Sequence, residues 1–456
     1  MNPLDVGIGA LPELGWLVGA LAALSLILAL GRRIGSGLQL RLWGIPEALV
    51  AGLLGLLLAP GGPLPLLPAP VMDLWAGLPL VLLTLVFGSL MLSKPLPQLG
   101  SLWRPVSGQV SLALVLAFGQ YVVGGLAVLL VLQPLLGVSP VMACLIEVAY
   151  EGGHGSAAAM GPSYAALGFP GGQDLGLAMA TVGLLSSTLV GGLVVVLARR
   201  QGWLLRTIPA EAAKANGSAG AAPGGVGAWA VNLALVGLAV LVGELLLLAL
   251  RAVTVPLGGG VAAVAQALPV FPLAILGSLF VRWLLERSGR SQWASAPIQS
   301  ELSTLAADLL ITAATAGLNL KLLQADWLPL TVLALGGLAW NLTVVLLLAP
   351  RVLPADWFER AVIEFGQATG VAASGLLLLR MADPSDQSDA LPAFSIKQLL
   401  LQPFLAGGVI TVVAPLAVAG WGLPVWTGFC FALVLLAGGM GLWLMRSQRA
   451  AAAPAP

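Results

Sequence analysis

The chain has 456 residues, of which 59% are hydrophobic and 9% are charged. Soluble domains carry about 25% charged residues, so this composition excludes a string of soluble domains and predicts an all-α polytopic membrane protein. The formal net charge of +1 gives no reason to expect a nucleic-acid partner. The two cysteines, Cys144 and Cys430, lie in apolar segments and provide neither a disulfide framework nor a cysteine-type metal site.

The apolar stretches predict a bundle of transmembrane helices. The hydrocarbon core of a bilayer requires about 20 apolar residues per helix. Eleven stretches fit that length, at 12–30, 42–59, 74–92, 109–132, 172–197, 227–250, 262–285, 301–320, 327–349, 397–418 and 424–445. No positively charged segment precedes the first one, so we expect it to be retained as a helix.

Two further regions, 139–171 and 355–390, are apolar but interrupted by glycine and small polar residues. They predict re-entrant hairpins. Backbone that is not helical is tolerated at membrane depth only where protein or a water-filled cavity surrounds it. We therefore expect both hairpins to lie inside the bundle and to line a site.

The basic residues predict an orientation. With the N-terminus outside and each hairpin returning to its own side, all but two of the 20 basic residues fall on the cytoplasmic side. The exceptions are Arg251 and Lys321. This distribution predicts an integral protein of a plasma (inner) membrane, with the N-terminus outside and the C-terminus in the cytoplasm.

Five spans and one hairpin per half give the two halves opposite orientations. Short matches support this inverted repeat: Ile45-Pro46 corresponds to Phe271-Pro272, and the Gly155-x-Ala157-Ala158 pattern recurs from Gly370. The predicted organisation is a first repeat at 1–198, a cytoplasmic linker at 199–226, a second, inverted repeat at 227–420, an additional transmembrane helix at 421–446 and a disordered tail at 447–456.

Inverted repeats with glycine-broken segments at corresponding places indicate a secondary transporter. A broken helix offers free N–H groups to anions and free carbonyls to cations. Acids at membrane depth usually bind ions or protons, and we expect no lysine or arginine there to neutralise them. The candidate cation-coupling residues are Glu147, Glu151, Asp308, Asn319 and Glu364, with Glu244 a weaker candidate.

Structural interpretations compete with each of these assignments. The glycines are also typical of close helix packing, His154 of a hydrogen-bonded interior histidine, and Glu147 and Glu151 of protonated structural acids. We do not expect an enzyme, because His154 and Ser156 are two residues apart and do not face each other on a helix. A more distant serine partner for His154 stays open, as does an intramembrane enzyme as a remote alternative.

The hairpin residues resemble those of the bacterial sodium/glutamate symporters. The resemblance rests on Gly-Gly-His-Gly at 152–155 followed by Ser156-Ala157-Ala158, and on the stretch from Phe365-Gly366 to Ala368-Thr369. It extends over about residues 12 to 418. It implies that two re-entrant loops meet at the translocation site, that glutamate moves with Na⁺, and that the protein is a homodimer working by elevator-like alternating access.

The resemblance implies a set of substrate-binding residues: Gly152, Gly153, His154, Gly155, Ser156, Gly366, Gln367, Ala368, Thr369 and Gly370. Two departures from the family pattern stand out. Gln367 lies where the family tends to have glycine, and Glu147 and Glu151 lie where small neutral residues are expected.

We therefore expect a sodium-coupled symporter for glutamate or a related anionic amino acid in a lipid bilayer, with no cofactor other than the coupling ion. Broken-helix N-termini and His154 would hold the carboxylates, and the acids and exposed carbonyls would bind Na⁺ or H⁺. The alternatives are a Na⁺- or H⁺-coupled carrier of citrate-like di- and tricarboxylates, and a cation/proton antiporter.

Overall fold

The computed structural model describes residues 3–40, 46–96, 99–204, 225–258, 268–384 and 387–452, together with residues 262, 265 and 266. Every regular element in these ranges is helical. The first half contains α1 (Pro3–Gly37), α2 (Glu47–Leu58), α3 (Ala69–Leu90), α4 (Leu99–Ala127), α5 (Leu145–Tyr150), α6 (Gly153–Ala159), α7 (Gly161–Ala166) and α8 (Gly172–Gln201). The second half contains α9 (Val226–Thr254), α10 (Phe271–Arg287), α11 (Ala296–Ala316), α12 (Leu320–Ala325), α13 (Trp327–Thr343), α14 (Trp357–Thr369), α15 (Ala372–Ala382), α16 (Ala390–Leu401), α17 (Val409–Trp421) and α18 (Leu423–Ala452).

Among the described residues, seven helical segments are long and apolar enough to cross a membrane. They are built on α1, α3, α4, α8, α9, α13 and α18 and coincide with seven of the predicted spans. The predicted linker lies mostly at 205–224, outside the described residues. Helix α18 continues to Ala452, into the segment predicted as a tail, and residues 453–456 again lie outside the described ranges.

The four remaining predicted spans are shorter or more polar than the others. Helix α2 has 12 residues, because Pro46 precedes it and Ala59 is disfavoured in a helix by the proline that follows. Helix α10 has 17 residues. Helix α11 has 21 residues, but polar side chains fill its first half. The prediction of one span at 397–418 is wrong, since α16 ends at Leu401 and α17 begins at Val409.

The break between α16 and α17 has a local cause. Pro403 lacks the N–H that would continue the helix. Ala406 and Gly407 then have φ values of 53° and 92°, which a right-handed helix does not accommodate. The N–H of Gly407 donates to Thr411 Oγ1 at 3.0 Å, so the freed backbone group is satisfied by a side chain.

Both predicted hairpin regions are broken at their glycines. In the first, α5 ends before Glu151 and α6 begins at Gly153, whose φ is 68°. In the second, α14 ends at Thr369, and Val371 is extended, with φ −158° and ψ 170°, before α15 begins. These breaks agree with the sequence pattern. Entry and exit on the same side of a membrane stays a prediction, as does the inverted relation of the halves.

Helices of the first half pack against helices of the second half. Helix α2 lies between α1 and α11, and α3 packs on α10 and α11. Helix α4 contacts α13 of the second half and α18. The core cluster with the most members joins the first hairpin to α3, α4, α8, α13 and α17. This arrangement packs the first hairpin against helices of both halves.

Helices α4 and α13 end in the same way. Each passes into a π-helical segment, Val128–Leu132 or Val344–Leu348, and then into one α-helical turn with proline at its second position. Proline has no N–H to give an ordinary helical bond, and the wider π turn accommodates that loss. The shared ending is a feature that two related halves would have in common.

Helix α18 is held against α4 by glycine and a side-chain hydrogen bond, in which Ser111 Oγ donates to the carbonyl of Ala437 at 2.6 Å. A Cβ on Gly441 would collide with Ser111, whereas Gly439 has nothing within 4 Å. We expect Gly441→Ala to lower the free energy of unfolding by about 1–3 kcal/mol. Gly439→Ala, the matched control, should leave it equal or slightly higher because alanine favours the helix. Unfolding in mixed micelles measures both, and equal effects would contradict the packing.

Candidate functional site

A cavity of ≈ 900 Å³ lies between α3 and α11 on one side and the two hairpins and α16 on the other. The first hairpin contributes Glu151, Gly152, Gly153, His154 and Gly155 to its wall. The second contributes Gln367, Gly370, Val371, Ala372 and Ala373. Cavities of this volume are typical of small-molecule sites.

The two hairpins touch at their breaks, where only glycine fits. A Cβ on Gly153 would lie 2.7 Å from Val371 Cγ1 and 3.9 Å from the carbonyl oxygen of Gly370. Gly153 also has a φ of 68°, which side chains rarely adopt. Any larger residue here strains the backbone and collides with the side chain of Val371.

The structure brings part of the predicted set together. The predicted residues in the cavity wall are Glu151, Gly152, Gly153, His154, Gly155, Asp308, Gln367 and Gly370. The remaining predicted residues are not among those that line it: Glu147, Ser156, Asn319, Glu364, Gly366, Ala368 and Thr369. Of these, Asn319 is exposed and caps α12 by accepting a hydrogen bond from the N–H of Leu322.

Glu147 is fully buried and is not among the residues that line the cavity. Its carboxylate accepts hydrogen bonds from Tyr121 Oη at 2.5 Å, Thr411 Oγ1 at 2.9 Å and the N–H of Ala406 at 3.3 Å. These donors satisfy the carboxylate without a cation, and they tie the first hairpin to the break between α16 and α17.

Glu364 is neutralised by a lysine, contrary to the expectation that no basic residue lies at membrane depth. Lys397 Nζ lies 2.8 Å from Glu364 Oε2, and both side chains are at most 2% exposed. Gln109 Nε2 donates to the other carboxylate oxygen at 2.8 Å. The expectation failed because it placed Lys397 at the cytoplasmic start of a span, whereas the residue lies inside α16.

Asp308 is also paired. Arg32 Nη2 of α1 lies 2.6 Å from Asp308 Oδ2, and both side chains are partly exposed. Glu151 differs from these acids. Its Oε2 atom is buried and has no hydrogen-bond partner among the described residues, although the side chain faces the cavity. Glu151 is therefore the acid in the cavity wall without a hydrogen-bonded or ion-paired partner among the described residues, since Lys397, the basic side chain that attracts it, is paired with Glu364.

His154 is 5% exposed and bonded to α8. Thr181 donates its single proton to the carbonyl of Leu177 at 3.0 Å, so its oxygen accepts from His154 Nε2 at 2.9 Å. This network assigns the proton to Nε2 and leaves Nδ1 as an acceptor. The histidine thus has the hydrogen-bonded interior role that the sequence left open, and it also contributes to the cavity wall.

Sequence reasoning missed the glutamines of α16. Gln398 Nε2 donates to Gln367 Oε1 at 3.2 Å and to Gln402 Oε1 at 3.1 Å, and all three residues line the cavity. Gln402 Nε2 donates in turn to the carbonyl of Ala406 at 2.9 Å. Polar residues spaced by four in a stretch assigned as a span were the available signal.

The second hairpin is positioned by two amides from long apolar helices. Gln120 Nε2 of α4 and Asn341 Nδ2 of α13 donate to the carbonyl of Ala368 at 2.6 and 2.9 Å. Asn341 also donates to Thr369 Oγ1 at 3.0 Å. Ala368 and Thr369 are therefore held by the scaffold at the end of α14. Among the described residues, no three of His, Cys, Asp and Glu are grouped so as to hold a metal ion.

The contact between the hairpins predicts a specific sensitivity. We expect Gly153→Ala to abolish transport and lower the free energy of unfolding by more than the roughly 1–2 kcal/mol cost of a positive φ. Gly168→Ala is the control, since Gly168 has a φ of 75° but nothing within 4 Å. It should carry the backbone cost alone and keep transport. Equal loss of activity in both variants would contradict a role for the contact.

The buried ion pair gives a second test. Lys397→Met leaves Glu364 uncompensated and should cost about 3–5 kcal/mol of unfolding free energy. Adding Glu364→Gln should recover part of that loss. The exposed Lys321→Met is the matched control and should change stability little. A single Lys397→Met variant as stable as the control would contradict the pairing.

Comparison with known proteins adds one match. The family model for sodium/glutamate symporters matches residues 17–368, which include the first hairpin and most of α14. Neither the curated proteins nor the solved structures gave a match. The remainder of the second hairpin and the α16 glutamines lie beyond the matched range.

Proposed function

The chain belongs to the sodium/glutamate symporter family, and on that premise we propose that this membrane transporter moves glutamate or a related anionic amino acid together with Na⁺. The observation that carries the proposal is the meeting of two glycine-broken hairpins at a solute-sized cavity. Transporter sites lie where such broken segments of two halves converge.

The N-terminus of α15 supplies an anion site. Helix α15 has 11 residues, and no side chain among the described residues caps its first N–H groups. Val371, Ala372 and Ala373 at this end line the cavity. Unsatisfied N–H groups and the helix dipole favour a carboxylate here. A substrate carboxylate thus binds backbone N–H groups at the start of α15.

Glu151 supplies the opposite charge. Asp308 is paired with Arg32, and Glu147 and Glu364 have their own partners outside the cavity. Glu151 is then the wall carboxylate at which a cation compensates the buried charge. A site that binds a carboxylate at the start of α15 and a cation at Glu151 fits an anionic solute that is transported together with a cation.

The conformation described here supports an inward-open state of an alternating-access cycle. Pro46, Lys94, Leu96 and Leu391 line the cavity, and all lie towards the side predicted to face the cytoplasm. The hairpin breaks lie at the other end. Homodimerisation and an elevator-like movement stay predictions of the family resemblance.

Transport measurements test the proposal directly. Proteoliposomes with an inward Na⁺ gradient should accumulate labelled glutamate, and replacing Na⁺ with choline should stop accumulation. Citrate should compete weakly, and a proton gradient alone should not drive uptake. Uptake that is indifferent to Na⁺, or driven only for citrate, would contradict the proposal in favour of the carboxylate alternatives.

Cysteine labelling tests the orientation of the cavity. Cys144 and Cys430 are buried, so the native chain gives a low background. Ser395 lines the cavity, and Ser395→Cys should react with an impermeant maleimide in inside-out vesicles and be protected by glutamate with Na⁺. The exposed Ser447→Cys should react from the same side without protection. Labelling of Ser395→Cys from the outside alone would contradict the orientation.

A further inference from the structure

We propose that the Glu151 carboxylate binds the α-ammonium group of the transported solute, so that the chain selects amino-acid anions over carboxylates that lack an amine. This inference rests on the proposed function and deepens it. It assigns the cation at Glu151 to the substrate itself, in place of the coupling ion.

The charged side chains of the cavity wall favour a positively charged group beside Glu151. The described wall has three charged side chains, Lys94, Glu151 and Asp308. Arg32 neutralises Asp308, with its Nη2 2.6 Å from Oδ2. Lys94 lies towards the end of the cavity that is predicted to face the cytoplasm, so Glu151 is the charged side chain of the described wall that lies at the hairpin breaks. A plain dicarboxylate would place like charge against Glu151, and such repulsion discriminates between ligands.

Glu151 lies next to the contact between the two hairpins. Glu151 follows the last residue of α5 and lies two residues before Gly153, which touches Val371 and Gly370 across the hairpin contact. Val371 is the N-cap of α15. Glu151 and the start of α15 therefore adjoin the same contact between the hairpins, and both line the cavity. An α-amino acid carries its ammonium and its carboxylate on one carbon, so a head group bound at this contact presents one charge to Glu151 and the other to the N–H groups of α15.

The cavity wall contains oxygen atoms that can accept hydrogen bonds from an ammonium group. An ammonium group has three donors and requires three acceptors when buried. Glu151 Oε2 is buried and without a described partner, while the residue is 5% exposed. The amide oxygens of Gln367 and Gln402 each accept from Gln398 and keep a second lone pair. The same cavity wall thus offers further acceptors besides the Glu151 carboxylate.

The volume favours a solute over a bare ion at this point. The space beside Glu151 belongs to the ≈ 900 Å³ cavity, whereas ions are enclosed by oxygen ligands at contact distance. The alternative acids do not offer the same chemistry. Glu147 is satisfied by hydroxyl and backbone donors, and Glu364 is paired with Lys397.

The test compares glutamate with glutarate, which is the same molecule without the amine. Competition against labelled glutamate in wild-type proteoliposomes should show glutarate to be weaker by about 10- to 100-fold, as expected for a charge-assisted pair. N-acetylglutamate, whose nitrogen carries no charge, should be as weak as glutarate. This arm requires no variant and so does not depend on the folding of a mutant.

Glu151→Gln then tests the residue. The variant should lose about 10-fold or more in glutamate affinity and keep or gain affinity for glutarate, so that the preference collapses. Asp308→Asn, the other acid in the wall, should shift both competitors alike. The concentration of Na⁺ for half-maximal uptake should change little in Glu151→Gln.

The opposite results overturn the inference. Equal affinities of the wild type for glutamate and glutarate would leave a carboxylate transporter and remove the ammonium site. A Glu151→Gln variant with the same loss for both solutes and a weakened Na⁺ dependence would assign Glu151 to the coupling ion. Wild-type vesicles that use neither solute would remove the proposed function itself and the inference with it.

Discussion

Placing an ionised carboxylate in a low-dielectric interior costs several kcal/mol unless a partner compensates it, and this constraint orders the interior of the protein. Glu364 is matched by Lys397 in an ion pair that is almost fully buried. Glu147 is matched by hydroxyl and backbone donors that join the first hairpin to α17. Asp308 is matched by an arginine of α1. Glu151 has no hydrogen-bonded or ion-paired partner of its own among the described residues, and it lines the cavity.

The glycines make that arrangement possible. Gly153 lets the first hairpin approach Val371 of the second, and Gly370 lets the second hairpin approach Ser187 of α8. The side-chain amides of Gln120 in α4 and Asn341 in α13 hold the end of α14 by hydrogen bonds to the carbonyl of Ala368. Long helices thus position the broken segments that line the cavity, so its shape is held by contacts outside the cavity wall.

Long apolar stretches and glycine interruptions within them are local features that can be read directly from the sequence. The sequence therefore predicts the seven long apolar helices and the breaks in both hairpin regions correctly. It fails where the decisive contact is distant in the chain. Hydropathy over 397–418 does not register Pro403 and the positive φ values after it, so one span was expected where two helices stand. That error hid Lys397 as the partner of Glu364 and removed Gln398 from the candidate site.

The central claim is that a solute binds between Glu151 and the start of α15. A high-resolution structure of the purified protein with glutamate and Na⁺ tests it most directly. The account predicts ligand density in the cavity, with its amine at hydrogen-bond distance from the Glu151 carboxylate and its α-carboxylate on the N–H groups of Ala372 and Ala373. Density elsewhere, for instance in the smaller pocket beside Asp356 and Arg360, with the cavity at Glu151 filled only by water, would contradict it.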